Sequence, residues 1–235
     1  ISLGEGNTPT IKLHNLSDKL EIELSTKLEY FNPTGSFKDR GSSIMISCLK
    51  QSGIKEISED SSGNAGASIS AYASKAQIKS HIFAPSSAPS AKINQIKVYG
   101  ANTYLIGGSR DQATIEAKKF SENHGVTYAS HNLSPYFIEG TKIFGYEIFR
   151  DLYDSGKFPE HIILPVGNGS LFLGALKSFH ELFLDNKIHK IPKIHAVQTE
   201  SIQPIYSTIF KTAWNPVNQT KTIAGGIAVA TPPRL

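Results

Sequence analysis

A lysine placed between a turn and a helix start is the residue of this sequence with the clearest chemical potential. Lys38 follows the turn sequence Asn-Pro-Thr-Gly at 32–35, and Ser36 is a plausible N-cap for a helix that runs to about Lys50 and stops at Gly53. The positive end of the helix dipole and partial burial both disfavour an ammonium group. They lower the lysine pKa, so that the neutral amine can attack an aldehyde. An ordinary surface lysine near a helix end is the alternative.

A second segment is built from small residues, Ser-Ser-Gly-Asn-Ala-Gly-Ala-Ser at 61–68. It lies where a predicted strand ends and a predicted helix begins, so free backbone N–H groups can hold a carboxylate there. The side chain of Asn64 could hydrogen-bond a phenolic oxygen. The alternative is a tight turn in which Gly63 and Gly66 serve backbone conformation and close packing.

The third segment is a glycine-rich turn, Pro-Val-Gly-Asn-Gly-Ser-Leu at 165–171, between an apolar strand and a helix. It lacks the Gly-Lys-Ser/Thr of a nucleotide P-loop, and the spacing after Gly169 does not match a dinucleotide fingerprint. A small phosphate fits better than a nucleotide. A glycine-rich turn after a strand is, however, not specific for phosphate by itself.

Alternating short apolar strands and helix-length segments position these three motifs. The predicted strands are 22–30, 78–84, 103–106, 126–129, 161–166 and 194–197. The predicted helices are 36–50, 65–75, 91–99, 110–124, 140–153 and one ending at 184. This βαβ rhythm predicts an α/β fold with parallel twisted sheets covered by helices.

Composition limits the classes of protein that this chain can be. Its 235 residues, 39% hydrophobic and 19% charged, are typical of a globular chain with one large domain or two small ones. The lone Cys48 cannot form an internal disulfide, which favours a reducing, cytoplasmic location. No signal-peptide pattern or apolar run of membrane-spanning length is present, so we expect no membrane partner.

The net charge of +4 does not indicate a nucleic-acid partner, because the basic residues are dispersed. The four arginines, Arg40, Arg110, Arg150 and Arg234, are far apart in sequence. The eight histidines show no spacing typical of a metal site, so we predict no metal.

Together the motifs resemble the fold-type-II family of pyridoxal-phosphate-dependent enzymes, and in detail threonine synthases. Five segments appear in the family order: 4–9, 35–41, 61–68, 139–142 and 222–227. The resemblance covers most of the chain. It implies a tryptophan synthase β-like architecture, with a large cofactor domain at 1–41 and 134–235, a small inserted α/β domain at 42–133, and a homodimer.

The resemblance also implies roles for particular residues. Lys38 would form the Schiff base with pyridoxal 5′-phosphate and then move protons at Cα and Cβ of an amino-acid substrate. Asn64 would contact the cofactor's O3′. The cofactor phosphate would be cradled by Gly167, Asn168, Gly169, Ser170 and Leu171. The substrate would be framed by Ser61, Ser62, Ala65 and Asn132.

Two departures from the family pattern affect the expected reaction. Phe137 stands where threonine synthases carry an arginine that helps to bind a substrate phosphate, and it cannot make that charge-assisted contact. The sequence also ends at Leu235, before the family segment that faces the pyridine nitrogen, and we expect a fragment.

Three functions are therefore carried forward. The first is a threonine synthase-like lyase that converts O-phospho-L-homoserine and water to L-threonine and phosphate. The second is a serine/threonine dehydratase or a phosphoserine-using β-replacement enzyme. The third is a truncated pyridoxal-phosphate-binding protein without catalytic activity.

Overall fold

The computed structural model describes residues 1–108, 110–156, 158–215 and 222–233; Arg234 lies outside them. The chain forms two compact units, 1–141 and 142–235, and each is described by itself. The predicted inserted domain at 42–133 falls within the first unit. Its boundaries remain a prediction.

The first unit contains most of the regular structure. In chain order its elements are β1 (Thr10–Lys12), α1 (His14–Leu20), β2 (Ser25–Lys27), α2 (Lys38–Gln51), β3 (Glu56–Glu59), α3 (Asn64–Lys75), β4 (Lys79–Pro85), α4 (Ser90–Val98), β5 (Asn102–Ile106), α5 (Arg110–His124), β6 (Thr127–Tyr128) and α6 (Pro135–Thr141).

Its central sheet has the strand order β5-β4-β3-β6, and every neighbouring pair is parallel. Side chains of β4 alternate between the two faces of this sheet, as the strand pleat requires. Ile82 and Ala84 pack with α3 and α4, whereas Phe83 packs with α5. The helices therefore cover both faces, which confirms the predicted α/β arrangement.

Strand β1 pairs with β2 in a separate antiparallel ribbon. The predicted strand at 22–30 is wrong over most of its length, because only Ser25–Lys27 is strand and a 3-10 helix follows at Glu29–Phe31. The alternating pattern reflected half-burial in an irregular segment rather than a long ladder of hydrogen bonds.

The second unit contains α7 (Ile143–Leu152), β7 (His161–Pro165), α8 (Ser170–Leu184), β8 (Lys193–Val197), α9 (Pro204–Phe210) and a 3-10 helix at Gly225–Ile227. Strands β7 and β8 are parallel, with His161 opposite Lys193. The helix predicted at 140–153 is observed as α7, which begins three residues later, whereas the preceding helix α6 was not predicted. In the described residues, no helix combines the length and the apolar character that crossing a membrane requires.

The close contact between α2 and α6 depends on the absence of a side chain at Gly140. A Cβ built at Gly140 would lie 2.0 Å from the carbonyl oxygen of Arg40 and 2.7 Å from the Cα of Gly41. A second absent Cβ, at Gly41, leaves room for the ring of Phe137, which would otherwise be 2.6 Å away. The backbones of the two helices are thus closer than any larger residue permits.

We expect Gly140→Ala to lower the free energy of unfolding by about 2 kcal/mol or more, because the added methyl must displace backbone rather than a flexible side chain. Urea denaturation followed by circular dichroism measures this. Gly107→Ala is the control, since a Cβ at Gly107 meets nothing within 4 Å. Equal stability of the two variants would contradict the close helix contact.

Candidate active site

Lys38 is the first residue of α2 and follows a turn that is held by its own backbone. The N–H of Gly35 donates to the carbonyl of Asn32 at 2.8 Å, and Gly35 has φ +86°, a conformation that favours glycine. The predicted N-cap, Ser36, is wrong by one residue, because Phe37 is the residue that precedes α2. The N–H of Lys38 nevertheless donates to Ser36 Oγ at 3.3 Å.

The two residues after Lys38 anchor the turn from inside the protein. The buried carboxylate of Asp39 accepts from the N–H of Thr34 at 2.7 Å and from Thr34 Oγ1 at 2.6 Å. Arg40, which is 1% exposed, donates two hydrogen bonds to the carboxylate of Glu29, from Nε at 2.7 Å and from Nη2 at 2.8 Å. This bidentate pair fixes the direction in which α2 leaves the turn.

The amine of Lys38 lies among aromatic rings. Its Nζ is 4.6 Å from the ring centroid of Phe37 and 5.7 Å from that of Phe137. Burial and, after it, the positive charge of Arg110 lower the pKa of Lys38 from 10.5 to about 8, while Glu59 opposes the change. The amine is therefore much more available as a nucleophile near neutral pH than an ordinary lysine.

The segment 61–68 forms the tight connection from β3 to α3 that the sequence predicts. A Cβ at Gly66 would lie 2.0 Å from the carbonyl oxygen of Ser61, so the helix start and the preceding turn are in direct contact. Ser61 and Ala65 are buried and Ser62 is half-buried. The first-turn N–H groups of α3 stand at the carboxyl end of the sheet, where α/β proteins bind ligands.

Asn64, predicted to contact the cofactor, is the first residue of α3. Its Oδ1 accepts from Lys92 Nζ at 2.7 Å, which fixes the amide and makes Nδ2 the end that can donate to a phenolic oxygen. Gln95, one turn after Lys92 on α4, donates to the carbonyl of Thr34 at 3.1 Å. Helix α4 thus links the start of α3 to the turn that precedes Lys38.

A buried acid–base pair that the sequence motifs do not predict lies next to them. Glu59 and His131 are 0% and 2% exposed, and His131 Nδ1 is hydrogen-bonded to Glu59 Oε1. Burial and the neighbouring Asp60 raise the pKa of Glu59, whereas burial, Lys38 and Arg110 lower the pKa of His131. The available signal was an acidic residue that ends a buried strand.

Arg110, which no sequence motif singles out, is the first residue of α5 and lies at the same edge of the sheet. Thr114, one turn later, donates through Oγ1 to Asp60 and so ties α5 to the end of β3. The charge of Arg110 acts on Lys38, Glu59 and His131 alike. Phe137, by contrast, is 0% exposed and packs in the core with Met45 and Ile57.

Asn132, predicted to bind substrate, follows His131 directly. Its Oδ1 is buried and has no hydrogen-bond partner within the described ranges. The first unit therefore brings Lys38, Asn64 and the 61–65 turn to one region of the molecule and leaves a polar atom of Asn132 unsatisfied.

The glycine-rich turn lies in the second unit and opens α8 as predicted. Gly169 has φ +80° and precedes Ser170, the first residue of α8. A Cβ at Gly167 would lie 2.9 Å from Val229 Cγ2 and 3.2 Å from Ile227 Cα. Residues 227–229 therefore pack directly against the backbone of this turn. Ser170 and Leu171 are buried, and Gly167 and Asn168 complete the turn.

These features fit pyridoxal phosphate. The cofactor needs a neutral amine for its aldehyde, a donor for its phenolic oxygen and N–H groups for its phosphate. The amine of Lys38, the fixed amide of Asn64 and the first turn of α8 supply groups of those types. The first two belong to one unit and the third to the other, so their joint use remains a prediction.

The lowered pKa of Lys38 is directly measurable. After reductive methylation with ¹³C-formaldehyde, we expect one methyl-lysine resonance to titrate with a midpoint near pH 8, against 10.5 for an ordinary lysine. The resonance is assigned by its loss in Lys38→Arg. A Lys38 midpoint above pH 10 would contradict the buried, charge-coupled amine.

Comparisons with known proteins identify the family of this chain. The family model described as pyridoxal-phosphate dependent enzyme matches residues 1–235. Threonine synthase of Methanocaldococcus jannaschii is 31% identical over 99% of this chain and 58% of its own length. Threonine synthase of a Bacillus species is 34% identical over 99% of this chain and 63% of its own length. The chain thus spans about three fifths of these relatives.

Solved structures support the fold. The processed form of threonine deaminase isoform 2 from Solanum lycopersicum has a TM-score of 0.80 and 26% identity, and the match covers 97% of this chain and 60% of that one. Maize serine racemase has a TM-score of 0.82 at 24% identity, over 95% of this chain and 65% of its own, which concerns the fold alone. The α/β fold class is confirmed, and the chain belongs to the pyridoxal-phosphate-dependent enzyme family of fold type II.

Proposed function

We propose that this chain carries the catalytic lysine of a pyridoxal-phosphate-dependent lyase of the threonine synthase type. Its reaction would convert O-phospho-L-homoserine and water to L-threonine and phosphate. The observation that carries the proposal is the position of Lys38, an amine of lowered pKa at the end of a rigid turn. The choice of reaction is supported by relatives named threonine synthase at 31% and 34% identity.

The chain's own residues divide the work in this proposal. Bound pyridoxal phosphate would withdraw electrons from the substrate's α-carbon. Lys38 would take the proton from Cα and return it at Cα or Cβ. The turn at 61–65 and Asn132 would orient the substrate, Asn64 would donate to the phenolic oxygen, and residues 167–171 would hold the phosphate.

A second candidate is favoured by Phe137. An apolar side chain buried in the α2–α6 contact cannot reach and neutralise a substrate phosphate. A serine/threonine dehydratase acts on a substrate without that phosphate. A β-replacement enzyme that uses phosphoserine is a related option.

The remaining parts of the proposal concern organisation. We take residues 42–133 as a small domain inserted between 1–41 and 134–235, and the enzyme as a cytoplasmic homodimer acting on a phosphorylated amino acid. The lone Cys48 is consistent with a reducing location.

The first test is a visible absorption spectrum with added pyridoxal phosphate. We expect a Schiff-base band that is lost in Lys38→Ala, because Lys38 is the lysine that the turn delivers to the start of α2 with a lowered pKa. Lys50→Ala, at the other end of α2, is the control and should keep the band. A band that survives in Lys38→Ala would contradict the assignment.

Substrates then separate the two candidates. Phosphate release from O-phosphohomoserine together with threonine formation supports the synthase. Formation of a 2-oxoacid from threonine or serine, without phosphate release, supports the dehydratase and would sink the synthase proposal.

The phosphate turn gives an independent prediction. We expect Gly167→Ala to weaken binding of pyridoxal phosphate at least about tenfold, because the methyl group collides with Val229 and Ile227 and shifts the turn. Binding of pyridoxal, which lacks the phosphate, should change less than about threefold. Fluorescence titration with both compounds measures the ratio, and an equal loss for both would contradict a phosphate role.

A further inference from the structure

Strand β3 carries two Glu–His pairs that differ in environment. Glu56 Oε1 is 2.5 Å from His81 Nε2 and 2.7 Å from Lys79 Nζ, and the Glu56 side chain is 35% exposed. The hydrogen-bonding capacity of the Glu56 carboxylate is thus met by His81, Lys79 and solvent. Glu59 bonds His131 through Oε1, is 0% exposed, and its Oε2 has no hydrogen-bond partner in the described part of the chain.

A buried carboxyl oxygen without a partner is unusual in a folded protein. Desolvation of such an atom opposes folding unless a partner is supplied, so unsatisfied polar atoms in native structures often mark a place that a ligand or water completes. Glu59 is thus built to receive one more hydrogen-bonding group. His131 holds the rest of the carboxyl in place.

The pair lies beside the reactive amine. Lys38 Nζ is 5.7 Å from the centroid of the Phe137 ring, and the His131 ring packs edge-on against the same ring with centroids 5.6 Å apart. Glu59 is also the last residue of β3, two residues before the turn at 61–65. A substrate whose carboxylate is held by that turn and whose Cα faces the amine of Lys38 would therefore have Glu59 within its reach.

The groups around Glu59 determine which kind of ligand atom its Oε2 can hydrogen-bond. The charged and titratable groups that act on Glu59 are Asp60, Lys38 and Arg110, with His131 in direct contact and Tyr128 nearby. Burial and the neighbouring Asp60 raise the pKa of Glu59, so its carboxyl takes up a proton more readily than an ordinary glutamate does. A protonated carboxyl can donate to and accept from an uncharged oxygen such as water or a hydroxyl.

On the basis of the proposed function, we propose that Glu59, positioned by His131, forms the subsite for the uncharged oxygen at Cβ of the substrate. In a threonine synthase this oxygen is the water that enters at Cβ. In a dehydratase it is the hydroxyl that leaves. For these two reactions the ligand class is an amino acid that bears a β-hydroxyl group, as the product of the synthase or as the substrate of the dehydratase.

Glu59 would exchange one proton with the oxygen at Cβ in either direction of the reaction. On elimination, Lys38 takes the Cα proton and the Cα–H electrons form the Cα=Cβ bond. The C–O electrons leave with the oxygen, which takes the proton of Glu59 and departs as water. On addition, water's oxygen forms the bond to Cβ, one water proton passes to the ionised Glu59 carboxylate, and the Cα=Cβ electrons take up the proton that Lys38 returns at Cα.

Binding tests the subsite without turnover. The full chain loaded with pyridoxal phosphate is titrated with L-threonine and with L-2-aminobutyrate, which lacks only the β-hydroxyl, and the spectral change is followed. We expect threonine to bind at least about tenfold more tightly, since a site built for a hydroxyl leaves its polar group unpaired without one. Glu59→Leu should reduce the preference to about threefold or less, whereas Glu56→Leu on the same strand should keep it.

A conservative variant separates proton transfer from folding. Glu59→Gln keeps the shape and the hydrogen bonding but cannot give a proton. We expect it to slow β-oxygen chemistry, measured as ¹⁸O exchange into threonine or as 2-oxoacid formation, at least about tenfold. Exchange of the Cα proton in D₂O, which depends on Lys38, should change less than about threefold, and Glu56→Gln should change neither.

The outcomes distinguish the two proposals. A Lys38-dependent band with equal binding of threonine and 2-aminobutyrate, or an equal loss of Cα and Cβ exchange in Glu59→Gln, would overturn the subsite and leave the proposed function standing. Absence of any Lys38-dependent band would overturn both.

Discussion

The buried ion pair between Arg40 and Glu29 is the constraint on which the Lys38 region depends. Its two hydrogen bonds join the first turn of α2 to the segment before the turn, and Thr8 donates to the same carboxylate at 2.8 Å. A guanidinium that is almost fully buried is stable only with such a partner, so neither chain segment can move without exposing an uncompensated charge. Lys38 lies between these two fixed points. The amine of Lys38 is therefore held in one position, where burial and the charge of Arg110 lower its pKa.

The parallel sheet of the first unit brings the charged neighbours of Lys38 together. Because all of its strands run in the same direction, their carboxyl ends converge, and each strand is followed by a segment that carries polar groups to this edge. Glu59 ends β3, Arg110 opens the helix after β5, and His131 comes soon after β6. Residues far apart in sequence thereby act on one amine. Lys92 and Gln95 of α4 connect this edge to the Lys38 turn by hydrogen bonds.

Phe137 shows how packing and specificity are linked in the first unit. Its ring fills space that exists because Gly41 has no Cβ, and it forms part of the core shared by α2 and α6. The position is then unable to carry a charge, because a buried cation there would need a partner that the core does not provide. The polar and charged groups near Lys38 are instead the buried pair of Glu59 and His131, together with Arg110.

The sequence by itself determined the features that are local in the chain. The Asn-Pro-Thr-Gly turn, the helix that begins at Lys38, the small-residue connection at 61–68 and the glycine-rich start of α8 all follow from rules that act over a few residues, and the βαβ rhythm follows from hydrophobic periodicity. The helix at 110–124 was predicted with the observed boundaries, and the helix at 140–153 was predicted with a start three residues too early. The long strand at 22–30 was wrong and α6 was not predicted, since hydrogen-bond pairing and helix breaks depend on distant neighbours. Only the tertiary structure revealed that Glu59, Arg110 and His131 act on Lys38 or are acted on by it, that Arg40 is neutralised by Glu29, and that Phe137 belongs to the core. Burial and electrostatic coupling are properties of groups brought together by folding, and no local pattern in the sequence records them.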